Sequence, residues 1–367
     1  MQGLSHFKKI LNMRKYVYCI MLFSLWACIN SEKSKLSTEH QLQVLDQPDN
    51  PFYEMICVLN ETPCLLGEIT SLCFLNEERI IISTIKPSRI VVFDREGNQI
   101  TCLDRTGRGP MEFLNPSILK SCDKHIYVWC DQQLKLIIYD EILNPIKQFT
   151  GFMNAIKDFA VLNNKIYFYL SGGLNENLIR IFHLEREEFI HELGGKVTEE
   201  SILLSLFAGA GGLFVTDSAL FYSTPSDLVV YSWCQENDLY ESVEFLDIDF
   251  KVANINNAVQ MINSDRNKAI EYVSSNSVVK GIYDLKDKIV LVTEVGEYNL
   301  EKKDITSTRF NKYYILNNID KQVTAFKEEM DFSKISRSFA GFNGSLYFIK
   351  FNPAKEFELY SLKRMVF

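Results

Sequence analysis

The sequence predicts an all-β chain folded as a six-bladed β-propeller of four-stranded antiparallel blades, closed by an N-terminal strand and carrying one helical insert. Three observations predict it. A pair of short apolar runs recurs six times. Many of the runs are apolar on both faces. The last copy lacks a strand that the N-terminal region can supply.

The first run of each copy begins at Arg79 (RIIIS), His125 (HIYVW), Lys165 (KIYFYL), Ala219 (ALFYS), Lys288 (KIVLV) and Ser345 (SLYFI). The intervals of 46, 40, 54, 69 and 57 residues suit propeller blades. A second run and a polar turn follow each, as in IVVFDREGNQI after Arg89 and LIIYDEILNPI after Lys135. The runs are too short for helices and rich in Ile, Val, Tyr and Phe, so they read as strands. Stretches such as Leu136-Ile137-Ile138-Tyr139 do not alternate. Strands of that kind belong to sheets covered on both sides, which a ring of stacked blades provides and a sandwich does not.

In chain order, residues 1–27 hold Lys8, Lys9, Arg14 and Lys15, no acid, and an apolar run from Tyr16 to Ala27. That is the pattern of an export signal. The run is short of the roughly 20 residues that span a bilayer. Leu25-Trp26-Ala27-Cys28 is similar to the bacterial lipobox, and this similarity implies lipid attachment at Cys28. Residues 28–39 are polar and read as a flexible tether. The propeller is expected over 40–367. Two apolar stretches precede the first copy, Leu42–Leu45 and Tyr53–Leu59, and one of them is expected to pair with the last blade and close the ring. The long interval before Lys288 contains the insert, about 255–275. There Val259, Ile262, Ala269, Ile270 and Val273 fall at near-helical spacing, either packed on a propeller face or capping the channel.

The copy that starts at Arg79 leads into Gly107-Arg108-Gly109-Pro110-Met111-Glu112-Phe113. This stretch resembles the G-x-G-P-G-E-F loop of a large family of bacterial six-bladed propeller lipoproteins, the TolB-like or NHL-like kind. In that family the loop links one blade's outer strand to the next blade's inner strand. Six of seven positions match, with Met111 where the family has Gly. The resemblance implies the propeller fold and a lipoprotein, and Ile29 after Cys28 gives no inner-membrane retention cue, so an outer-membrane lipoprotein facing the periplasm or the cell surface is expected. It says little about a ligand. The glycines read as positions of unusual backbone angle, and Met111 as a sign that a left-handed residue is dispensable there. Arg108 and Glu112 read as a pair across the turn or at the channel mouth, and Phe113 as an anchor in the core.

The chain carries a formal charge of -8, and residues 1–27 contribute four positive charges and no acid, which leaves -12 on the remainder. An acidic body argues against nucleic acid and against adhesion to anionic lipid, so membrane contact is expected only through the anchor. Seven cysteines follow Cys28, without a C-x-x-C spacing, and most sit inside apolar runs as small hydrophobes. One disulfide, Cys57–Cys64 across a turn, is the pairing that proximity suggests.

No G-x-S-x-G, H-E-x-x-H or P-loop pattern occurs, and no catalytic residue or cofactor is assigned. Ala208-Gly209-Ala210-Gly211-Gly212 reads as the opening of the fourth blade rather than a phosphate loop. His125, His183 and His191 read as surface or core residues. The candidate ligand-binding residues are Arg108, Glu112, Asp131 and Asp217. The expected role is a monomeric, non-catalytic binding or scaffold module for a peptide, glycan or protein partner. The alternative is a metal-assisted hydrolase or lyase, with acids such as Asp131, Asp158, Asp217 and Glu294 converging in the channel.

Overall fold

The structure is a computed structural model that describes residues 37–46, 52–152, 154–170, 173–207, 209–251, 264–295, 310–329, 335–352 and 356–363. The expected signal and Cys28 lie outside the described residues. Two strands, β1 (Ser37–Asp46) and β2 (Phe52–Leu59), precede the first repeat. Blade 1 is β3 (Glu68–Asn76), β4 (Arg79–Ile85), β5 (Arg89–Asp94) and β6 (Gln99–Leu103). Blade 2 is β7 (Pro116–Cys122), β8 (His125–Cys130), β9 (Lys135–Tyr139) and β10 (Pro145–Phe149). Blade 3 is β11 (Ile156–Leu162), β12 (Lys165–Leu170), β13 (Asn177–His183) and β14 (Glu188–Lys196).

Blade 4 is β15 (Gly212–Val215), β16 (Ala219–Ser223), β17 (Val229–Cys234) and β18 (Leu239–Leu246). Blade 5 is β19 (Val278–Asp284), β20 (Lys288–Val295), β21 (Phe310–Asn317) and β22 (Val323–Glu329). Blade 6 is β23 (Ile335–Phe342), β24 (Ser345–Asn352) and β25 (Glu356–Lys363), with β2 as its fourth strand. The inner strands touch in the order β3, β7, β11, β15, β19, β23 and back to β3, so the ring is complete.

The two-faced apolar runs are explained by what lies on each side. On β4, Ile80 and Ile82 pack with Ile349 and Leu359 of blade 6, while Ile81 packs with Val128 and Ile137 of blade 2. All three are at most 2% exposed. Each such side chain contributes on the order of 1.5–3 kcal/mol of burial. The second and third strands of blades 1, 2 and 5 repeat this, which is why the sequence shows the repeat most clearly there.

Closure uses Tyr53–Leu59, as the leftover strand required. β2 pairs antiparallel with β25, from Phe52 opposite Lys363 to Leu59 opposite Phe357. The stretch Leu42–Leu45 has a different place. It lies in β1, which runs parallel to β18 over Ser37–Gln43 and parallel to β22 over Val44–Asp46. One strand thus bridges the outer edges of blades 4 and 5. Of the expected tether, Ser37–Glu39 belong to β1.

Cys64 is bonded to Cys102, not to Cys57. Cys57 points into the core between blades 1 and 6, whereas Cys64 lies beside β6, where Gln99 donates from Nε2 to the Cys64 carbonyl and accepts from its N–H. The bond fastens the link between β2 and β3 to the outer edge of blade 1.

Among the described residues, two helices occupy the connections between blades. α1 (Glu199–Phe207) joins blade 3 to blade 4, and α2 (Arg266–Ser275) precedes blade 5. Asp265 caps α2 by accepting from the N–H groups of Asn267 and Lys268, a standard helix start. The Tyr272 hydroxyl meets Glu200 at 3.2 Å and joins the two helices. α2 matches the second half of the expected insert, and residues 252–263 lie outside the described residues. Gly212 opens β15, as expected of the glycine run.

Candidate functional site

The inner strands surround a central cavity of about 690 Å³. Several of its polar groups join blades. Thr70 donates from Oγ1 to the Pro116 carbonyl, the Ser71 hydroxyl accepts from the Leu119 N–H at 3.0 Å, and Ser121 donates to the Phe74 carbonyl. These bonds tie β3 to β7. Asp158 does the same across three blades. Its carboxylate lies 2.7 Å from Lys120 Nζ of β7 and accepts from the Leu213 N–H of β15 at 3.1 Å. Lys280 and Glu294 form a second pair at 2.7 Å, on neighbouring strands of blade 5.

The four channel acids therefore do not converge. Asp158 and Glu294 are each held by a lysine. Asp131 follows β8 in a 3₁₀ turn and accepts from Trp129 Nε1 at 2.6 Å. Asp217 lies in the turn between β15 and β16, beside a separate cleft of about 50 Å³. Among the described residues no three His, Cys, Asp or Glu side chains are grouped to hold a metal ion. Burial pushes the Cys73 thiol up to about 12 and the Cys122 thiol to about 11, so neither channel cysteine is a ready nucleophile. His191 stacks on Trp233 and His125 meets the edge of Tyr127, both ordinary packing.

The Gly107–Phe113 loop is built around Glu112. Its carboxylate accepts from the Gly109 N–H at 2.7 Å, and its own N–H reaches the Gly109 carbonyl at 3.3 Å. A Cβ at Gly107 would collide with that carboxylate, so Gly107 serves close approach rather than an unusual φ. The left-handed position is Met111, at φ 57°, contrary to the reading that such a residue is dispensable there. The backbone has kept the conformation that suits the family's glycine. Among the described residues no ion pair joins Arg108 to Glu112. Arg108 is exposed, and the loop is not part of the cavity lining.

Lys135, 4% exposed, donates from Nζ to the Glu112 carbonyl, and Gln133 Nε2 donates to the Gly107 carbonyl at 3.0 Å. Phe113 is fully buried between blades 1 and 2, the anchoring role expected of it. Of the four candidate ligand residues, Arg108, Glu112 and Asp131 belong to the blade 1–2 loops and Asp217 to a turn at the other end of the strands. They do not form one site.

The comparisons with known proteins agree with this architecture. No curated protein matches by sequence. In fold, the chain is similar to a putative exported protein from Bacteroides fragilis, with a TM-score of 0.64 at 10% identity, over 88% of this chain and 99% of that one. It is also similar to a DUF4221 family member from Bacteroides vulgatus, with a TM-score of 0.62 at 12% identity, over 86% of this chain and 96% of that one. The profile of the DUF5128 family, described as a 6-bladed beta-propeller, matches residues 58–255. That is more than half of the chain, so the protein belongs to the DUF5128 family of six-bladed β-propellers.

Proposed function

We propose that this protein is an exported propeller held by a lipid at Cys28 on the outer membrane, where it acts as a monomeric, non-catalytic binding or scaffold module for a peptide, glycan or protein partner. The observation that carries the binding role is the pairing of two cavity lysines with carboxylates of neighbouring strands. Lys120 with Asp158 and Lys280 with Glu294 are built as supports between strands, at 2.7 Å each, rather than as groups aimed at a reacting atom. The Cys64–Cys102 bond supports export, since disulfides persist in oxidising compartments. The similar fold of an exported Bacteroides protein points the same way.

The course of β1 bears on where such an anchor would approach. Ser37 pairs with Tyr240, close to the turn between β17 and β18, and Asp46 lies at the opposite end. A tether from Cys28 therefore enters at the face that bears that turn. On this reading the face that bears the Gly107–Phe113 loop is turned away from the membrane.

Thermal unfolding of the protein from Ile29 onward tests the binding role, with divalent cations, with chelator, and with panels of peptides and oligosaccharides. A ligand at a hundredfold excess over its Kd stabilises by about 2.7 kcal/mol. A rise in the midpoint with a peptide or oligosaccharide and no metal is the expected result. A rise with a divalent cation that chelator reverses would replace the binding role by the metal-assisted hydrolase. Cys28→Ala is expected to release the protein from the membrane fraction, and continued membrane attachment would rule out the anchor.

A further inference from the structure

A second concavity, of about 310 Å³, opens between blades 2 and 3. Its floor is Trp129, Ile156, Phe168 and Leu170, none more than 4% exposed. Phe152 and Phe189 form its walls, the latter 40% exposed. The rings meet at steep angles. Phe152 lies 5.4 Å from Trp129 and 5.2 Å from Phe168, with interplanar angles of 59° and 63°. This herringbone presents ring edges and faces that complement another aromatic ring.

The rim is polar. Arg180 stacks on Phe189 at 4.3 Å, with its Nε 2.9 Å from Glu192. Its two terminal NH₂ groups have no hydrogen-bond partner among the described residues. Glu176 faces it with Asn154 as its partner. A cation with free donors and an acceptor carboxylate thus flank an apolar hole.

We propose that this concavity receives the aromatic side chain of a partner peptide, with peptide carbonyl oxygens on Arg180 and a peptide N–H on Glu176. The volume is at the low end for ligand pockets, on the order of 300 Å³, and suits one ring-bearing side chain rather than a helix. A sugar ring fits poorly. The Trp129 Nε1–H is already given to Asp131, so the floor has no donor to offer and buried hydroxyls would be left unpaired. The concavity lies at the ends of β8 and β12 that share a face with the Gly107–Phe113 loop, the face turned away from the proposed anchor. The proposal rests on the binding role above and names its ligand class.

A displayed library of random heptapeptides, selected on the protein from Ile29 onward, tests it. Selected peptides are expected to share one Phe, Tyr or Trp, and replacing that residue by Ala is expected to weaken binding at least tenfold. Phe189→Ala and Arg180→Gln are expected to weaken the same peptides about tenfold, with an unchanged circular dichroism spectrum. Phe351→Ala, an exposed ring on blade 6, is expected to change nothing. Trp129 fluorescence is expected to shift on binding. Peptides that bind but ignore both Phe189→Ala and Arg180→Gln would overturn this pocket and leave the binding role standing. Selection of no peptide, or oligosaccharide binding lost in Phe189→Ala, would also overturn it. A chelator-sensitive metal shift would remove the binding role itself.

Discussion

Two strands from the same N-terminal region stabilise the ring in different ways. β2 completes a blade that would otherwise have three strands. It is antiparallel to β25 and buries Cys57 and Leu59 in the core between blades 1 and 6. β1 is added to two blades that already have four strands. It is parallel to both neighbours, and only Leu42 and Val44 pack against the core. Apolar burial holds the first strand. Edge pairing and charge hold the second.

The charge is concentrated at Lys312, which is 2% exposed. Its ammonium lies 2.8 Å from Asp46 at the end of β1, 2.6 Å from Asp247 and 3.3 Å from Asp249. Asp247 also accepts from the Tyr314 hydroxyl at 2.8 Å. A buried cation with three acids around it ties β1 to blade 5 and to the segment after β18. Such a cluster is a poor source of net stability but costly to break, because the remaining charge is left without a partner.

Removing the strands separately should give the largest contrast. A chain that begins at Gln47 lacks β1 and is expected to keep a cooperative thermal transition at a lower midpoint. A chain that begins at Asn60 lacks both strands, leaves blade 6 open, and is expected to lose cooperative unfolding. Equal behaviour of the two would break the comparison.

Lys312→Met should cost about 3–5 kcal/mol in denaturant unfolding, since it strands Asp247 in the core. The pH dependence sharpens this. Burial opposes the charge on Asp247, but the hydrogen bonds from Lys312, the Asp249 N–H and Tyr314 outweigh it and hold the carboxyl below its ordinary range. Its stabilisation is complete above the unfolded value near about 3.9 and is lost as pH falls through the lower folded value. Burial would likewise lower the Lys312 ammonium, but Asp247 and Asp46 outweigh it and raise it. That contribution is present below about 10.4 and is lost as pH rises through the higher folded value. Wild type should therefore lose its advantage over Lys312→Met at both extremes, as read by denaturant midpoints across pH.

Cys102→Ser should cost about 3 kcal/mol, because the bond closes a long loop between cysteines 38 positions apart in sequence. Wild type in reductant should unfold at the same denaturant midpoint as the variant. The smallest expected effect is a gain. Met111→Gly relieves a left-handed residue, on the order of 1 kcal/mol, against the extra unfolded-state freedom of glycine and some lost packing. A net rise of about 0.5 kcal/mol, visible as roughly 1 °C in Tm, is expected.

Much of the fold was legible because its signal is local. RIIIS, HIYVW and KIYFYL name the second strands of three blades directly, since both faces of each are buried. The role of Tyr53–Leu59 followed from counting strands. Leu42–Leu45 was visible as an apolar stretch, but the partners of β1 lie some 200 and 280 residues away and leave no spacing to read. α1 was missed although Thr198-Glu199-Glu200-Ser201 carries a start signal, with the Thr198 Oγ1 accepting from the Ser201 N–H. The candidate site was less legible. Asp158 could be named as a channel acid, but its lysine comes from another blade. The aromatic concavity draws Trp129, Phe152, Phe168 and Phe189 from four separate segments.

The sequence by itself determined the blade count, the strands, the all-β class and the loop with its buried Phe113, because each depends on residues that are neighbours in the chain. The tertiary structure alone decided that Cys64 pairs with Cys102, that β1 bridges two blades, that Asp158 and Glu294 are held by lysines, and that four rings meet around a hole. Those facts depend on which side chains a closed ring brings within a few ångströms of each other across separate blades, and that distance is not written in any local pattern.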